Sequence, residues 1–266
     1  PPVVRPLREL PELRVRELRG IFCDIDDTLT TDGILVPAAY QALARAKASG
    51  LRVVPVTGRP AGFAAVLAAS WPVDAVVAEN GAVRCERRGP AIETIFWDDE
   101  EARARAKGAL ATIRADVLAQ VPRARVAWDE WLRLTDLAFD IGETQTLDAD
   151  EIAAITTRIE AAGARALVST VHAHASFSLA DKAKAAARLA HDLFGEPPET
   201  VAERYLFVGD SPNDQAGFAF FTLSAGPANV ARYAARLAPP PSYVAESPGG
   251  EGFSEIVDAI LALRVS

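Results

Sequence analysis

Short apolar runs that stop at polar turns recur along this chain, separated by stretches with helical spacing. Residues 20 to 23, Gly-Ile-Phe-Cys, form the first run and end at Asp24, Asp26 and Asp27. A run this short, closed by a polar break, predicts a buried strand. Residues 37 to 50 place apolar side chains at helical spacing, with Pro37 in the first turn and Gly50 as the stop. A second run, 51 to 56, ends in Thr57-Gly58-Arg59-Pro60, and a helix over 61 to 70 follows. A third run, 75 to 78, ends in Glu79-Asn80-Gly81-Ala82. This β-α-β-α-β rhythm predicts an α/β fold with a parallel sheet.

The pattern changes after residue 84. A strand over 91 to 97 and a long helix over 98 to 119 are expected, then an antiparallel pair at 124 to 129 and 132 to 141. A helix over 149 to 162, stopped by Gly163, precedes another pair at 164 to 170 and 172 to 178. Helix-strand-strand, twice over, predicts an α+β insert. The first rhythm resumes at Ala180, with a helix at 181 to 194 and a strand at 205 to 208 ending in Gly209-Asp210-Ser211-Pro212-Asn213-Asp214. A helix at 214 to 219, strands near 220 to 224 and 242 to 245, a Gly-rich loop at 249 to 252 and a helix at 253 to 263 close the chain. The predicted organisation is one core, 19–83 and 179–266, interrupted by an insert, 84–178, and preceded by a loosely attached lead-in, 1–18.

Composition narrows the function classes. A net charge of -8 argues against general binding to nucleic acid or anionic membranes, but not against small anionic substrates met by a local cation. Two cysteines, Cys23 and Cys85, make no disulfide framework. No apolar stretch is long enough to span a bilayer, and residues 1 to 18 lack the apolar centre of a signal peptide, so a cytoplasmic enzyme is expected. The sequence holds no Met, so residue 1 is not expected to be a translation start.

In a parallel sheet the strand ends lie along one edge, where such folds bind ligands. That edge would collect Asp24 and Asp26, Thr57, Asn80, and Asp210 with Asp214. Asp24 and Asp26 are two apart and share a face in extended chain. An all-oxygen cluster without Cys or His suits a hard cation such as Mg2+. A solvated acidic turn is the alternative for any one loop; acidic loops at two strand ends weaken it. Calcium-loop spacing fails, because Leu stands at 29 and 35 where Gly and Glu are needed. No Gly-Lys-Ser/Thr phosphate loop and no Gly-x-Ser-x-Gly elbow are present.

Asp24-Ile25-Asp26-Asp27-Thr28, Thr57-Gly58-Arg59, Lys182 and Gly209-Asp210-Ser211-Pro212-Asn213-Asp214 occur in the order of the haloacid dehalogenase-like superfamily, which the chain resembles from about residue 19 onward. The insert resembles the type IIB (C2B) cap of sucrose-, trehalose- and mannosyl-phosphoglycerate phosphatases and Cof-like sugar phosphatases. The resemblance implies a Rossmann-like core with an inserted cap, and a phosphomonoesterase for a small phosphorylated metabolite. Asp24 is then the nucleophile that becomes an aspartyl phosphate. Asp26 is the general acid and base, with its carboxyl pushed up by crowding, and lends its carbonyl to the metal. Mg2+ is held by Asp24, Asp26 and Asp210, supported by Asp214. Thr57, Gly58, Arg59, Asn80, Lys182 and Asn213 meet the substrate.

Some assignments stay open. Ala183 follows Lys182 where relatives often have Gly, which leaves Lys184 as an alternative. Arg59 equally suits a structural ion pair, and for Asn80 fixing its own turn is favoured over binding ligand. Asp27 stands where many relatives have Gly and is read as a bystander. His172 and His174 share a strand face, with packing favoured over substrate contact; Trp128 and Trp131 are read as core, with a sugar contact by them or Arg133 also open. A phosphomutase of the same fold, or a metal-binding scaffold without turnover, are the competing functions. A monomer or homodimer is expected.

Overall fold

The computed structural model describes residues 4–233 and 235–265. After β1 (Arg5–Pro6) and α1 (Glu12–Arg16), β2 (Gly20–Cys23) opens the core. A small hairpin, β3 (Thr30–Thr31) and β4 (Ile34–Leu35), leads to α2 (Pro37–Ala48), β5 (Arg52–Pro55), α3 (Ala61–Ser70) and β6 (Ala75–Ala78). A second hairpin, β7 (Val83–Arg88) and β8 (Ala91–Phe96), precedes the cap elements α4 (Glu100–Gln120), β9 (Leu137–Asp140), α5 (Ala149–Ala161), β10 (Arg165–Val168) and β11 (His172–Ser176). The core resumes with α6 (Lys182–Phe194), α7 (Pro198–Arg204), β12 (Tyr205–Val208), α8 (Gln215–Phe220), β13 (Leu223–Gly226), β14 (Tyr243–Val244) and α9 (Gly249–Val265).

The main sheet is parallel throughout, in the order β1-β14-β13-β12-β2-β5. A parallel bridge, Val56 to Val77, carries it on to β6. Its central strands are apolar on both faces because helices cover both. Ile21, Cys23, Val53 and Leu206 pack toward α2 and α9. Phe22, Val54, Phe207 and Tyr205 pack toward α6 and α8. From β2 the chain moves to β5 on one side and later to β12 on the other, so the strand order reverses at the end of β2, where Asp24 stands.

The cap sheet runs β10-β11-β9, antiparallel, over its own core of Ile113, Val117, Phe139, Ile155 and Ile159. The α+β insert thus forms, with three differences from the predicted pattern. The hairpin β7–β8 pairs with β6 and not with the cap sheet, so the cap sheet starts later than the boundary expected at residue 84. The segment expected as a strand at 124 to 129 contributes only a bridge, Val126 to Phe139, and residues 130–132 form a 3-10 turn. Trp128 and Trp131, expected inside, are 53% and 77% exposed; Trp128 lays an edge on Phe63 of α3.

The lead-in is not loosely attached. Arg5 and Pro6 add an edge strand beside β14, and Val15 and Leu18 are buried in the core. Pro1 and Pro2 lie outside the described residues. The Gly-rich segment 249–252 is the first turn of α9 and not a loop. Its glycines answer close approach: a Cβ on Gly250 would lie 2.5 Å from the Leu29 carbonyl oxygen.

Candidate active site

Asp24 and Asp210 follow the parallel neighbours β2 and β12, and Asp214 closes the loop after β12. Carboxylate oxygens of Asp24, Asp210 and Asp214 all lie within 4.8 Å of one another, and all three residues are buried. Lys182, at the start of α6, is 1% exposed and spans the group: Nζ is 2.6 Å from Asp214 Oδ1 and 2.9 Å from Asp24 Oδ1. Lys184, the alternative, points outward to Asp181 and the Leu179 carbonyl.

The local sequence explains the placement. Asp181 caps α6 by accepting from the Lys184 N–H, which starts the helix at Lys182. Asp214 Oδ2 accepts the N–H groups of Asp210 and Ser211 at 2.9 and 3.1 Å, and this closes the loop after β12. With Oδ1 on Lys182, both Asp214 oxygens are engaged, so this residue acts through the loop and the lysine. Asp210 is held by Thr28 Oγ1 at 3.3 Å and Asn229 Nδ2 at 2.9 Å. Asn229 also donates to the Asp27 carbonyl and accepts from Gly249, joining three loops.

Burial pushes the Asp24 carboxyl up to about 8, assisted by the Asp214 charge and opposed by Lys182. Burial, then Asp214 and Asp24, raise Asp210 well above the usual carboxylate range. Burial alone would lower Lys182, but Asp214 and Asp24 hold it above the ordinary lysine value. When all three carboxylates are ionised, the one ammonium leaves two negative charges, which a divalent cation would balance. The donors are all oxygen, so a hard cation such as Mg2+ fits Asp24 and Asp210.

Thr57 follows β5 and is fully buried. Its Oγ1 accepts from the Arg59 N–H at 3.0 Å, which leaves the hydroxyl proton to donate. Arg59 forks Asp26: Nε lies 3.0 Å from both carboxylate oxygens and Nη2 2.7 Å from Oδ1. The neighbour that grips Asp26 is therefore Arg59, a partner absent from the crowding picture. Arg59 also meets two cap carboxylates, Asp129 at 3.2 Å and Glu143 at 2.7 Å. Burial would raise Glu143, but His172 and Arg59 hold it down to about 2.

Asn80 sits at φ 55 and accepts from Asn213 Nδ2 at 3.1 Å, so the turn and the site share it. Asp27 has φ 55, the left-handed backbone for which glycine is the usual residue. Glu79, also left-handed, links core and cap. Its Oε1 accepts from Ala61 N of the core and Leu134 N of the cap, both at 2.9 Å. Its Oε2 accepts Thr135 N at 2.7 Å, Asp136 N at 3.2 Å and the Thr135 hydroxyl. A polar cavity of about 410 Å³ opens between core and cap, lined by Asp27, Arg59, Glu143, Thr170, Arg232 and Tyr233.

The parallel sheet, its reversal at Asp24 and the carboxylate-lysine cluster place a candidate active site in a core that carries an inserted cap. Residues 21–95 match the family model of haloacid dehalogenase-like hydrolases. Over its first core strands and the hairpin that follows them, the chain is thus similar to haloacid dehalogenase-like hydrolases. Protein 0175 of Thermoplasma acidophilum superposes with a TM-score of 0.70 at 20% identity, over 92% of this chain and 98% of that one. The C-terminal domain of C. albicans trehalose-6-phosphate phosphatase gives 0.67 at 13%, over 99% and 98%. Sucrose-phosphatase of Synechocystis sp., solved with sucrose and phosphate, gives 0.62 at 13%, over 91% and 98%. At these identities the likeness is one of fold. A search of curated proteins finds no match. No helix among the described residues is long and apolar enough to cross a membrane.

Proposed function

We propose that the chain is a Mg2+-dependent phosphomonoesterase acting on a small, sugar-related phosphate ester through an aspartyl phosphate. The observation that carries this is Lys182 suspended between Asp24 and Asp214, beside Asp210. A buried ammonium at a nucleophilic carboxylate supports attack on an anionic ester, where repulsion is the first obstacle. Asp24, Asp210 and the Asp26 carbonyl would hold Mg2+, which when bound would supply positive charge at the phosphoryl oxygens.

The chain's own residues account for the remaining chemistry. An Asp24 oxygen attacks phosphorus as the bond to the leaving alkoxide breaks. Asp26 delivers a proton to that alkoxide, then takes one from the water that attacks the aspartyl phosphate. Phosphate leaves and the Asp24 carboxylate is restored. Thr57 donates its hydroxyl to a phosphoryl oxygen, with the Gly58 loop beside it. The neighbouring sucrose- and trehalose-6-phosphate phosphatases, and the polar cavity under the cap, support a polyhydroxylated leaving group.

The test is phosphate release by the purified chain with Mg2+ from p-nitrophenyl phosphate, glucose 6-phosphate, trehalose 6-phosphate, sucrose phosphate and mannosyl-phosphoglycerate. Release from at least one sugar ester, lost on adding EDTA and restored by Mg2+, is expected. Silence across the panel removes the reading.

A further inference from the structure

Two polar atoms beside Gly58 are buried and have no hydrogen-bond partner: Nε2 of His174 and Nδ2 of Asn80. His174 is fully buried and Asn80 is 4% exposed. They come from different domains, His174 from β11 of the cap and Asn80 from the turn after β6. Both lie against the backbone of Gly58. A Cβ placed on Gly58 would lie 3.0 Å from His174 Nε2 and 3.3 Å from Asn80 Nδ2. Only glycine lets both approach the loop that follows Thr57. Leaving such groups unpaired is costly, so each calls for a partner beyond the side chains and backbone around it.

The network around each atom fixes what it offers. His174 Nδ1 is 3.0 Å from Asp136 Oδ2, and Asp136 is in turn held by Arg133 at 2.9 Å. Although burial works against it, Arg133 and His174 hold Asp136 below the usual carboxylate range. An ionised Asp136 only accepts, so Nδ1 carries the imidazole proton and Nε2 presents a lone pair. Burial agrees, lowering His174 to about 4 and keeping the ring neutral. Asn80 Oδ1 is occupied by Asn213 Nδ2, so the amide turns its N–H toward Gly58. One atom there accepts and the other donates.

A hydroxyl satisfies both. Its oxygen accepts from Asn80 and its proton goes to His174. A phosphoryl or carboxylate oxygen only accepts and would confront the His174 lone pair; an ammonium only donates and would leave Asn80 unpaired. We propose that His174 Nε2 and Asn80 Nδ2 together bind one hydroxyl group of the substrate beside Gly58, with Asp136 as the positioning residue that sets the tautomer. This rests on the phosphomonoesterase reading and adds to it a specificity contact from the cap.

The experiment compares His174→Phe and His174→Gln with the wild-type chain, in Mg2+. The readout is the ratio of kcat/KM for the best sugar ester of the panel to that for p-nitrophenyl phosphate, which has no hydroxyl. The ratio is expected to be about tenfold or more in favour of the sugar ester in the wild type, and to fall at least about tenfold in His174→Phe. Gln keeps an acceptor at that position and is expected to stay within about threefold of wild type. A ratio unchanged in His174→Phe, or lost equally in both variants, overturns the hydroxyl contact while leaving the phosphatase reading intact. A wild type that prefers p-nitrophenyl phosphate to every sugar ester overturns it too. No phosphate release from any ester sinks both readings. If His174→Phe does not fold, the Gln variant and Asp136→Asn, which frees the tautomer and is expected to lower the same ratio, decide the matter.

Discussion

Arg59 holds Asp26 in a fork while reaching Glu143 of the cap at 2.7 Å, so the residue proposed to move protons is tied to the cap by a single side chain. A lysine cannot reproduce that planar fork. Arg59→Lys is expected to lower kcat about tenfold or more on the best ester, with a smaller change in KM. Steady-state kinetics with saturating Mg2+ decide it; a change confined to KM would make Arg59 a substrate contact only.

Asp24→Asn preserves shape and removes the proposed nucleophile. Turnover is expected to fall by about a thousandfold or more. Circular dichroism and thermal melting should show the same fold. Activity close to wild type in that variant takes the role of nucleophile away from Asp24.

Lys182→Met leaves Asp24 and Asp214 facing each other in a buried site. Breaking a buried ion pair on one side costs about 3–5 kcal/mol. Urea unfolding at neutral pH is expected to show a loss of that order, alongside lost activity. Stability equal to wild type would mean the carboxylates find another partner.

Asp27 has φ 55. Replacing it by Gly is expected to leave stability within about 0.5 kcal/mol, while Asp27→Ala loses about 1 kcal/mol. Urea midpoints of the two variants, measured side by side, check the order; Ala at or above Gly contradicts it.

Glu130 supplies a pH test. Burial raises its carboxyl to about 7, against the opposing Ala138 N–H and Arg133. The unfolded value is about 4.3. A raised folded value means the contribution to stability is full below about pH 4.3 and is lost as pH rises through about 7. The side chain is 18% exposed, and the effect is on the order of 1–3 kcal/mol. Glu130→Gln is therefore expected to gain on the wild type between pH 5 and pH 8 in thermal melts. A constant difference across that range contradicts the assignment.

The strand ends were legible because burial on both faces makes parallel strands read as bare apolar runs, and Asp24, Thr57, Asn80 and Asp210 each break such a run. Lys182 was legible from helix register after Ala180. The partners of Asp26 were not. Arg59 is 33 residues from Asp26 and 70 from Asp129, and only the folded cap brings the three together. Glu79 read as part of a turn because a carboxylate that gathers backbone N–H groups has no sequence pattern of its own. Trp128 and Trp131 were misplaced for a different reason: hydrophobicity predicts burial, yet Trp131 stands on a 3-10 turn and Trp128 just before it, and both stay exposed. The segment 249–252 looked like a loop because glycines usually punctuate. Here they thin the start of α9 where it passes Leu29 and Val36.

The bonds around Glu79 bear on how the site can be entered. The chain crosses between core and cap twice, just after β8 and just before α6, which by themselves leave a swing about the line joining them. Glu79 adds a third tether, gathering the Leu134, Thr135 and Asp136 N–H groups and the Thr135 hydroxyl. A swing wide enough to undo it strips a buried carboxylate of its cap donors, and burial already disfavours that charge. Small tilts keep the tether; full opening has to admit water to Glu79 first. The residue beside Asn80 thus ties access to the site to hydration of one side chain.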